Sequence, residues 1–490
     1  MSKISYDEIN SLLWHAAEQC RCWLQVSQYA NYIGKLLYLK RLSDMNDKGE
    51  TGNKTQIIVP EEARWENLLN AKQNYGDLIN NALKSIERRN PHIWNGELTL
   101  IDFNDRRLGD LKERDRILSD LIRTFSAISL KDEDLESPDV LGLGFQSFIE
   151  RIAKNSELQS GDYLTPAILR ELLVSLIKPQ NGMSIADPVL GSGGFLVESA
   201  RYVKSHGGDP ATLSFSGQEI NVSIALMAKL NAFFNNISQA EIKTGDSINS
   251  PLILKEGKLA QFDRVIADIP FGTKDVADNI LERDPYIRFK YGLPPKSKGE
   301  FVFIQHAIAM TNQGGITAVI TAPGVLFRGG TEAEIRQRMI EDDIIDTVIA
   351  LPAGIFFGSA LSAAIIVFNR NRSPERKKKI LFIDASKKEA DKKKGLSNDT
   401  VKKIVETFTD FNVIPEFSQI VTLDEIESNE FNLNVSRYVE DSIPIPQIDV
   451  SGAIKELESL EERRRTVVNS LFAHYRKLGY TNSKKGERNS

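Results

Sequence analysis

The sequence predicts an α/β protein: a Rossmann-like, doubly wound domain of seven strands, preceded by an α-helical domain and followed by a C-terminal helical arm. Three observations carry this expectation. Between residues 161 and 380, short apolar, β-branched runs alternate with helical stretches. Two turns, Asp187-Pro188-Val189-Leu190-Gly191-Ser192-Gly193-Gly194 and Asp268-Ile269-Pro270-Phe271-Gly272, each follow such a run. That is where a parallel strand ends and an α/β fold opens its ligand crevice. Before this region, Trp14, Trp23, Tyr29, Tyr32, Ile33, Leu36, Leu37 and Leu39 recur largely at three- and four-residue spacing, with few prolines.

A chain of 490 residues exceeds one ordinary core, and 41% hydrophobic with 26% charged is the balance of a soluble globular protein. Two or three domains are expected. No apolar stretch approaches the roughly 20 residues that span a bilayer, and the first residues lack a hydrophobic signal core. A cytoplasmic protein without membrane association is therefore expected. Cys20 and Cys22, two apart on a predicted helix, face different ways and suit neither a disulfide nor a metal site. A net charge of -5 excludes a small, uniformly basic nucleic-acid binder but leaves room for a basic cleft. The basic runs at 372–379 and 387–394 read as solvated surface loops.

Taken in order, the helical domain covers 1–156, with a Gly- and Asn-rich loop at 46–54. The α/β domain covers 157–415, with strands expected over 184–188, 215–219, 241–244, 264–268, 316–321, 347–351 and 363–368. Residues 416–450 hold a short motif and a proline-containing linker at 443–447. A long helix at 451–480 places Ile454, Leu457, Leu460, Val467 and Leu471 in a mostly apolar stripe. The tail, 481–490, has the polar composition of a disordered end.

The chemistry is read at the strand ends. Gly191, Gly193 and Gly194 remove β-carbons and let backbone approach a ligand, and Ser192 lies between them. Asp187 can face an ammonium group. Glu219, in Gly217-Gln218-Glu219, can accept from both hydroxyls of a ribose, and Asp246 can receive an adenine amino group. Together they describe a pocket for S-adenosylmethionine, although a glycine turn alone serves a nucleotide phosphate equally well. The second turn fits methylation of an exocyclic amine. The Asp268 side chain and the Ile269 carbonyl can bind the two amino hydrogens and localise the lone pair, Pro270 stiffens the turn, and Phe271 stacks on a flipped-out base. His306 reads as a core or supporting residue, since amine attack on a sulfonium needs no strong base. No metal is expected.

These motifs in order resemble the modification (methyltransferase) subunit of type I restriction-modification systems, a family of N6-adenine DNA methyltransferases. Trp14-His15-Ala16-Ala17 and Leu39-Lys40-Arg41-Leu42-Ser43-Asp44 are similar to its helical domain, and Gly217-Gln218-Glu219-Ile220-Asn221 stands as it does in the family. The stretches 322–331, 350–358, 381–386 and 432–438 are similar to its later blocks. Gly161-Asp162-Tyr163-Leu164-Thr165-Pro166, followed by Ala167, resembles the segment that wraps the methionine end of the cofactor. The resemblance implies double-stranded DNA as substrate. It also implies a two-to-one complex with a specificity subunit on which the C-terminal helix docks, and a restriction subunit added to that complex.

Three departures lie around the site. The family's Asn-Pro-Pro-Phe is Asp268-Ile269-Pro270-Phe271, which keeps the acceptor but is expected to loosen the turn. Val189-Leu190 replace a small Ala-Cys pair and add bulk beside the pocket. Ala167 stands where the family often carries Arg. A catalytically silent scaffold in a DNA-binding defence complex is the alternative reading, and a protein-glutamine or RNA methyltransferase a third.

Overall fold

The computed structural model describes residues 3–46, 57–155, 164–274, 276, 284–356, 361–386, 396–439 and 450–479. Asp162, Tyr163, most of the 46–54 loop, the basic run at 387–394, the 443–447 linker and the 481–490 tail lie outside the described residues. The chain divides into two compact units, Met1–Val439 and Glu440–Ser490.

The first unit begins with helices α1 (Tyr6–Cys20), α2 (Tyr29–Met45), α3 (Trp65–Leu69), α4 (Tyr75–Arg89), α5 (Pro91–Trp94), α6 (Leu111–Ser126) and α7 (Val140–Asn155). It continues through α8 (Ala167–Ile177), β1 (Ser184–Asp187), α9 (Gly194–Ser205), β2 (Ser214–Glu219), α10 (Val222–Phe234), β3 (Glu241–Thr244), β4 (Leu254–Lys255), β5 (Lys258–Leu259) and β6 (Phe262–Asp268). Then come α11 (Glu300–Ala309), β7 (Thr311–Thr321), α12 (Thr331–Glu341), β8 (Ile345–Ala350), β9 (Ala364–Asn369), β10 (Lys379–Asp384), α13 (Asn398–Asp410), β11 (Ser418–Thr422) and α14 (Leu423–Ser428).

Ser5 starts α1 with a capping box: its hydroxyl accepts from Glu8 N (3.3 Å) and its N–H donates to the Glu8 carboxylate (2.8 Å). The helix then buries Ile9, Leu13, Ala16, Ala17 and Cys20 as one stripe. Cys22, beyond its end, is exposed. Helix α2 is buried on every side from Tyr29 to Ser43, so the other helices pack around it. This core runs on into α10 through Leu226, Met227, Leu230, Phe233 and Phe234. Gly34 permits the close crossing, because a β-carbon there would lie 3.0 Å from Leu230 and 3.1 Å from Phe145. A polar tie reinforces it: buried Glu97 pairs with Lys229 of α10 (2.7 Å) and accepts from Thr244 of β3 (2.8 Å).

The main sheet has nine strands in the order β11-β10-β8-β9-β7-β6-β1-β2-β3. All seven expected strands are in it. Parallel pairing joins β3 to β7, and β9 enters antiparallel between β7 and β8. The sheet exceeds the expected seven because β10 pairs parallel with β8 and β11 closes the edge antiparallel. Along the central strands successive residues go to opposite faces. Val265, Ala267 and Val319 join a core with α11 and α12, whereas Ile266, Ala318 and Ile320 join one with α8 and α13. Both faces are covered, which is why these strands read as unbroken apolar runs. The 432–438 motif also packs here, with the Tyr438 ring 4.3 Å from that of Phe382. The basic run at 372–379 is largely the expected exposed loop, Lys377 and Lys378 included, but Arg372 and Arg376 turn inward to the fully buried Asp346, Arg376 at 2.6 Å. A buried carboxylate must be paired, and these arginines pair it.

The second unit contains α15 (Val450–Lys477), on which Ile454, Leu457, Leu460, Val467 and Leu471 are exposed. Among the described residues no helix is long and apolar enough to cross a membrane.

Candidate active site

Asp187 ends β1 fully buried. Its Oδ1 accepts from Val189 N (3.0 Å), while Oδ2 is buried with no hydrogen-bond partner among the described residues. Burial holds this carboxyl well above the usual carboxylate range, and the negative charges of Glu219 and Asp268 add to the shift. The turn that follows needs its glycines: Gly191 and Gly193 have φ of 54° and 76°, and Gly193 caps the start of α9. Gly194 leaves room for a neighbour, since a β-carbon there would come 2.6 Å from Arg170 Cδ. Ser192 is buried and its carbonyl accepts from Asn231 Nδ2 (3.0 Å).

The bulk of Leu190 does not crowd this turn from the ligand side. Leu190 is buried with Ile185, Leu196 and Phe215, in the space that a β-carbon on Gly217 would enter at 2.6 Å. The glycine of β2 takes up the extra volume. Val189 remains half-buried.

Glu219 ends β2. Its oxygens accept from Gly191 N (2.9 Å) and Asn221 N (2.8 Å), so one carboxylate ties the glycine turn to the next strand. Burial raises its pKa. Asp246, half-buried after β3, organises its own loop: Oδ1 accepts from Ile248 N (2.8 Å) and Asn249 N (3.0 Å), and Oδ2 from Asn249 Nδ2 (2.8 Å). Gln218 fixes the same loop by donating to Ser250 O (3.0 Å) and accepting from Leu252 N (2.9 Å).

Asp268 ends β6 beside β1. Its Oδ2 accepts from Thr165 Oγ1 (2.7 Å), and burial pushes its carboxyl up to about 7 against the pull of that bond. Ile269 does not loosen the turn. It is buried, and its N–H donates to Ile320 O (2.9 Å), a ladder bond that proline could not make. Phe271 is half-buried and meets Phe356 edge to face, with centroids 5.7 Å apart. Buried Glu300 lies beyond the turn, accepting a long bond from Gly272 N (3.4 Å) and lying 3.2 Å from Arg328 Nη2.

The segment before α8 thus meets the second turn: Leu164 is anchored in the helical core, Thr165 touches Asp268, Pro166 is buried and Ala167 is exposed. His306 is buried beside Arg288 (3.3 Å). Burial, helped by that guanidinium, lowers its pKa to about 3, so it is a neutral core imidazole. Sequence reading missed Arg170, Glu150, Asn231 and Gln146, which support both turns. The available signal was polar residues inside apolar helical runs, Arg170 in α8 above all.

Asp187, Glu219 and Asp268 therefore gather three carboxyl groups at the ends of three neighbouring strands, around a turn with little side-chain bulk. An unpaired buried carboxylate oxygen is costly unless a donor arrives. This arrangement fits a ligand with an ammonium and a second positive charge, as S-adenosylmethionine has.

The fold and this crevice define a methyltransferase of the Rossmann-like class. Among solved structures, the chain is similar to the type I restriction-modification system methyltransferase subunit from Streptococcus thermophilus (TM-score 0.78, 24% identity, covering 89% of this chain and 100% of that one). Among curated proteins it is 30% identical over 409 residues to the type I restriction enzyme MjaVIII methylase subunit of Methanocaldococcus jannaschii, covering 81% of this chain and 68% of that one. It is 29% identical over 420 residues to the HindI methylase subunit of Haemophilus influenzae, covering 79% and 93%. The N-6 DNA Methylase family matches residues 136–443, and the HsdM N-terminal domain residues 9–125. The chain belongs to the N-6 DNA methylase family, among the modification subunits of type I restriction systems, and is a DNA methyltransferase.

Proposed function

We propose that this chain methylates N6 of a flipped-out adenine in double-stranded DNA, as the modification subunit of a complex whose specificity subunit selects the target. The observation that carries the reading is the convergence of Asp187, Glu219 and Asp268 at adjacent strand ends, with Asp187 Oδ2 buried and without a hydrogen-bond partner among the described residues. S-adenosylmethionine, when bound, supplies a methyl group on a positively charged sulfur.

Asp187 holds its ammonium, Glu219 its ribose hydroxyls, and Asp246 its adenine amino group through capacity left on Oδ2. Gly191, Ser192, Gly193 and Gly194 give the backbone its close approach, and the 162–167 segment wraps the methionine end. Asp268 and the Ile269 carbonyl accept the two hydrogens of the target amine, which turns its lone pair out of the ring. Pro270 fixes the turn, and Phe271 stacks on the base, a contact worth about 1–3 kcal/mol. Two features favour an active enzyme over a silent scaffold: Leu190 is absorbed by the core, and Ile269 adds a ladder bond.

Two copies join one specificity subunit, with α15 as the docking helix, and a restriction subunit adds to that complex. Because base readout is delegated, a net charge of -5 is compatible with DNA work shared between subunits. Calorimetric titration with S-adenosylmethionine, paired with a methyl-transfer assay on genomic DNA in the presence of the specificity subunit, tests the reading. Binding with transfer to adenine N6 is expected; binding without transfer would overturn it in favour of the scaffold.

A further inference from the structure

We infer that Arg170 is a positioning residue for Asp268, and that helix α7 holds both halves of the methyl-transfer site through Glu150 and Gln146. The inference rests on the adenine-methyltransferase reading above.

Arg170 is buried in the first turn of α8 and divides its guanidinium between two acceptors. Nη1 donates to the Thr165 carbonyl (2.5 Å) and Nη2 to Glu150 Oε1 (2.5 Å). Thr165 in turn donates its hydroxyl to Asp268 Oδ2 (2.7 Å). A continuous path of three hydrogen bonds thus links α7 to the carboxylate that receives the target amine. The stem of Arg170 lies against Gly194, where a β-carbon would come within 2.6 Å of Cδ, so the same side chain also backs the glycine turn.

One turn earlier on α7, Gln146 Oε1 accepts from Asn231 Nδ2 (3.0 Å), and that amide also donates to Ser192 O (3.0 Å). Residues four apart share a helix face, so one face of α7 braces the cofactor turn through Asn231 and the amine clamp through Arg170. A buried guanidinium is retained only where its donors are met in fixed directions, and a lysine ammonium cannot reproduce the fork. The geometry gives the helical region a handle on catalysis that bypasses ligand contact.

The test uses the full chain with its specificity subunit and DNA, comparing wild type with Arg170→Lys, Thr165→Val, Thr165→Ser and the Arg170→Lys/Thr165→Val double variant. Arg170→Lys and Thr165→Val should each lower kcat about ten- to a hundredfold, the range for a displaced catalytic group, a larger factor than any accompanying change in the Kd for S-adenosylmethionine. Thr165→Ser, which keeps the hydroxyl donor, should lose less kcat than Thr165→Val, and the double variant should be no slower than the slower single variant, as residues on one path are non-additive. Amide hydrogen exchange over 268–272, measured on the chain without substrate, should rise in Arg170→Lys and in Glu150→Gln. Wild-type kcat in Arg170→Lys, or single-variant losses that multiply, would overturn the inference. If wild type itself transfers no methyl group, the adenine reading fails and exchange decides the positioning role alone: a rise supports it, no change refutes it.

Discussion

Asp268 answers two opposed demands. In the proposed role its carboxylate accepts from an amine in the crevice, yet burial pushes its pKa up to about 7, so near neutral pH a large share carries a proton. Protonation turns an acceptor oxygen into a donor, and methyl transfer should therefore fall as pH drops below about 7. Asp268→Asn keeps an acceptor without the titration, so its pH–rate profile should lose that acid limb, whereas Asp268→Ala should abolish transfer with cofactor affinity nearly unchanged. The same shift affects stability. Folding holds this proton up to about pH 7, whereas an unfolded aspartate releases it near 3.8, so the contribution to stability is lost as pH rises between those values. Above pH 7, Asp268→Asn should be more stable than wild type by roughly 1–3 kcal/mol, read as a higher melting temperature. In the proposed site Glu219 serves the cofactor. Glu219→Ala removes a charged acceptor and should weaken S-adenosylmethionine binding by about 1–3 kcal/mol, read by titration calorimetry.

Among elements, the turns after β1 and β6 take their shape from neighbours as much as from their own residues. Asn231 of α10 holds Ser192 O and meets Gln146 of α7, so Asn231→Ala should destabilise the chain by about 1–3 kcal/mol, the cost of unmet buried partners, measured by urea denaturation. Strands β6, β7, β8 and β9 were legible as apolar, β-branched runs, whereas β2 and β3 were legible from the motifs at their ends. In the sequence β10 stands out only as a family block, and β11 is a five-residue run whose Ile420, Val421 and Thr422 lie in the segment expected to be a linker. The charged strand ends were legible for the same reason as the strands. The polar braces were not, because Arg170, Asn231 and Glu150 acquire a partner only when α7, α8 and α10 come together. Leu190 misled in the opposite direction: its bulk is visible in the sequence, but the hollow at Gly217 that receives it is a tertiary fact.

For the molecule as a whole, the division into Met1–Val439 and Glu440–Ser490 separates the reacting part from the helical arm. Deleting 451 onward should release the specificity subunit, and an intact complex on gel filtration would contradict the docking role proposed for α15. The first unit resists any such cut. Helix α10 gives Leu226, Met227, Leu230, Phe233 and Phe234 to the helical core, and Ala228 and Ala232 to the core beside β1 and β2. An element with dual membership makes its two hosts heritable only together. A recombination event that exchanged the amino-terminal helices between relatives would have to carry a matching α10 from beyond the crossover, so the natural modules of this protein are not its visible architectural halves.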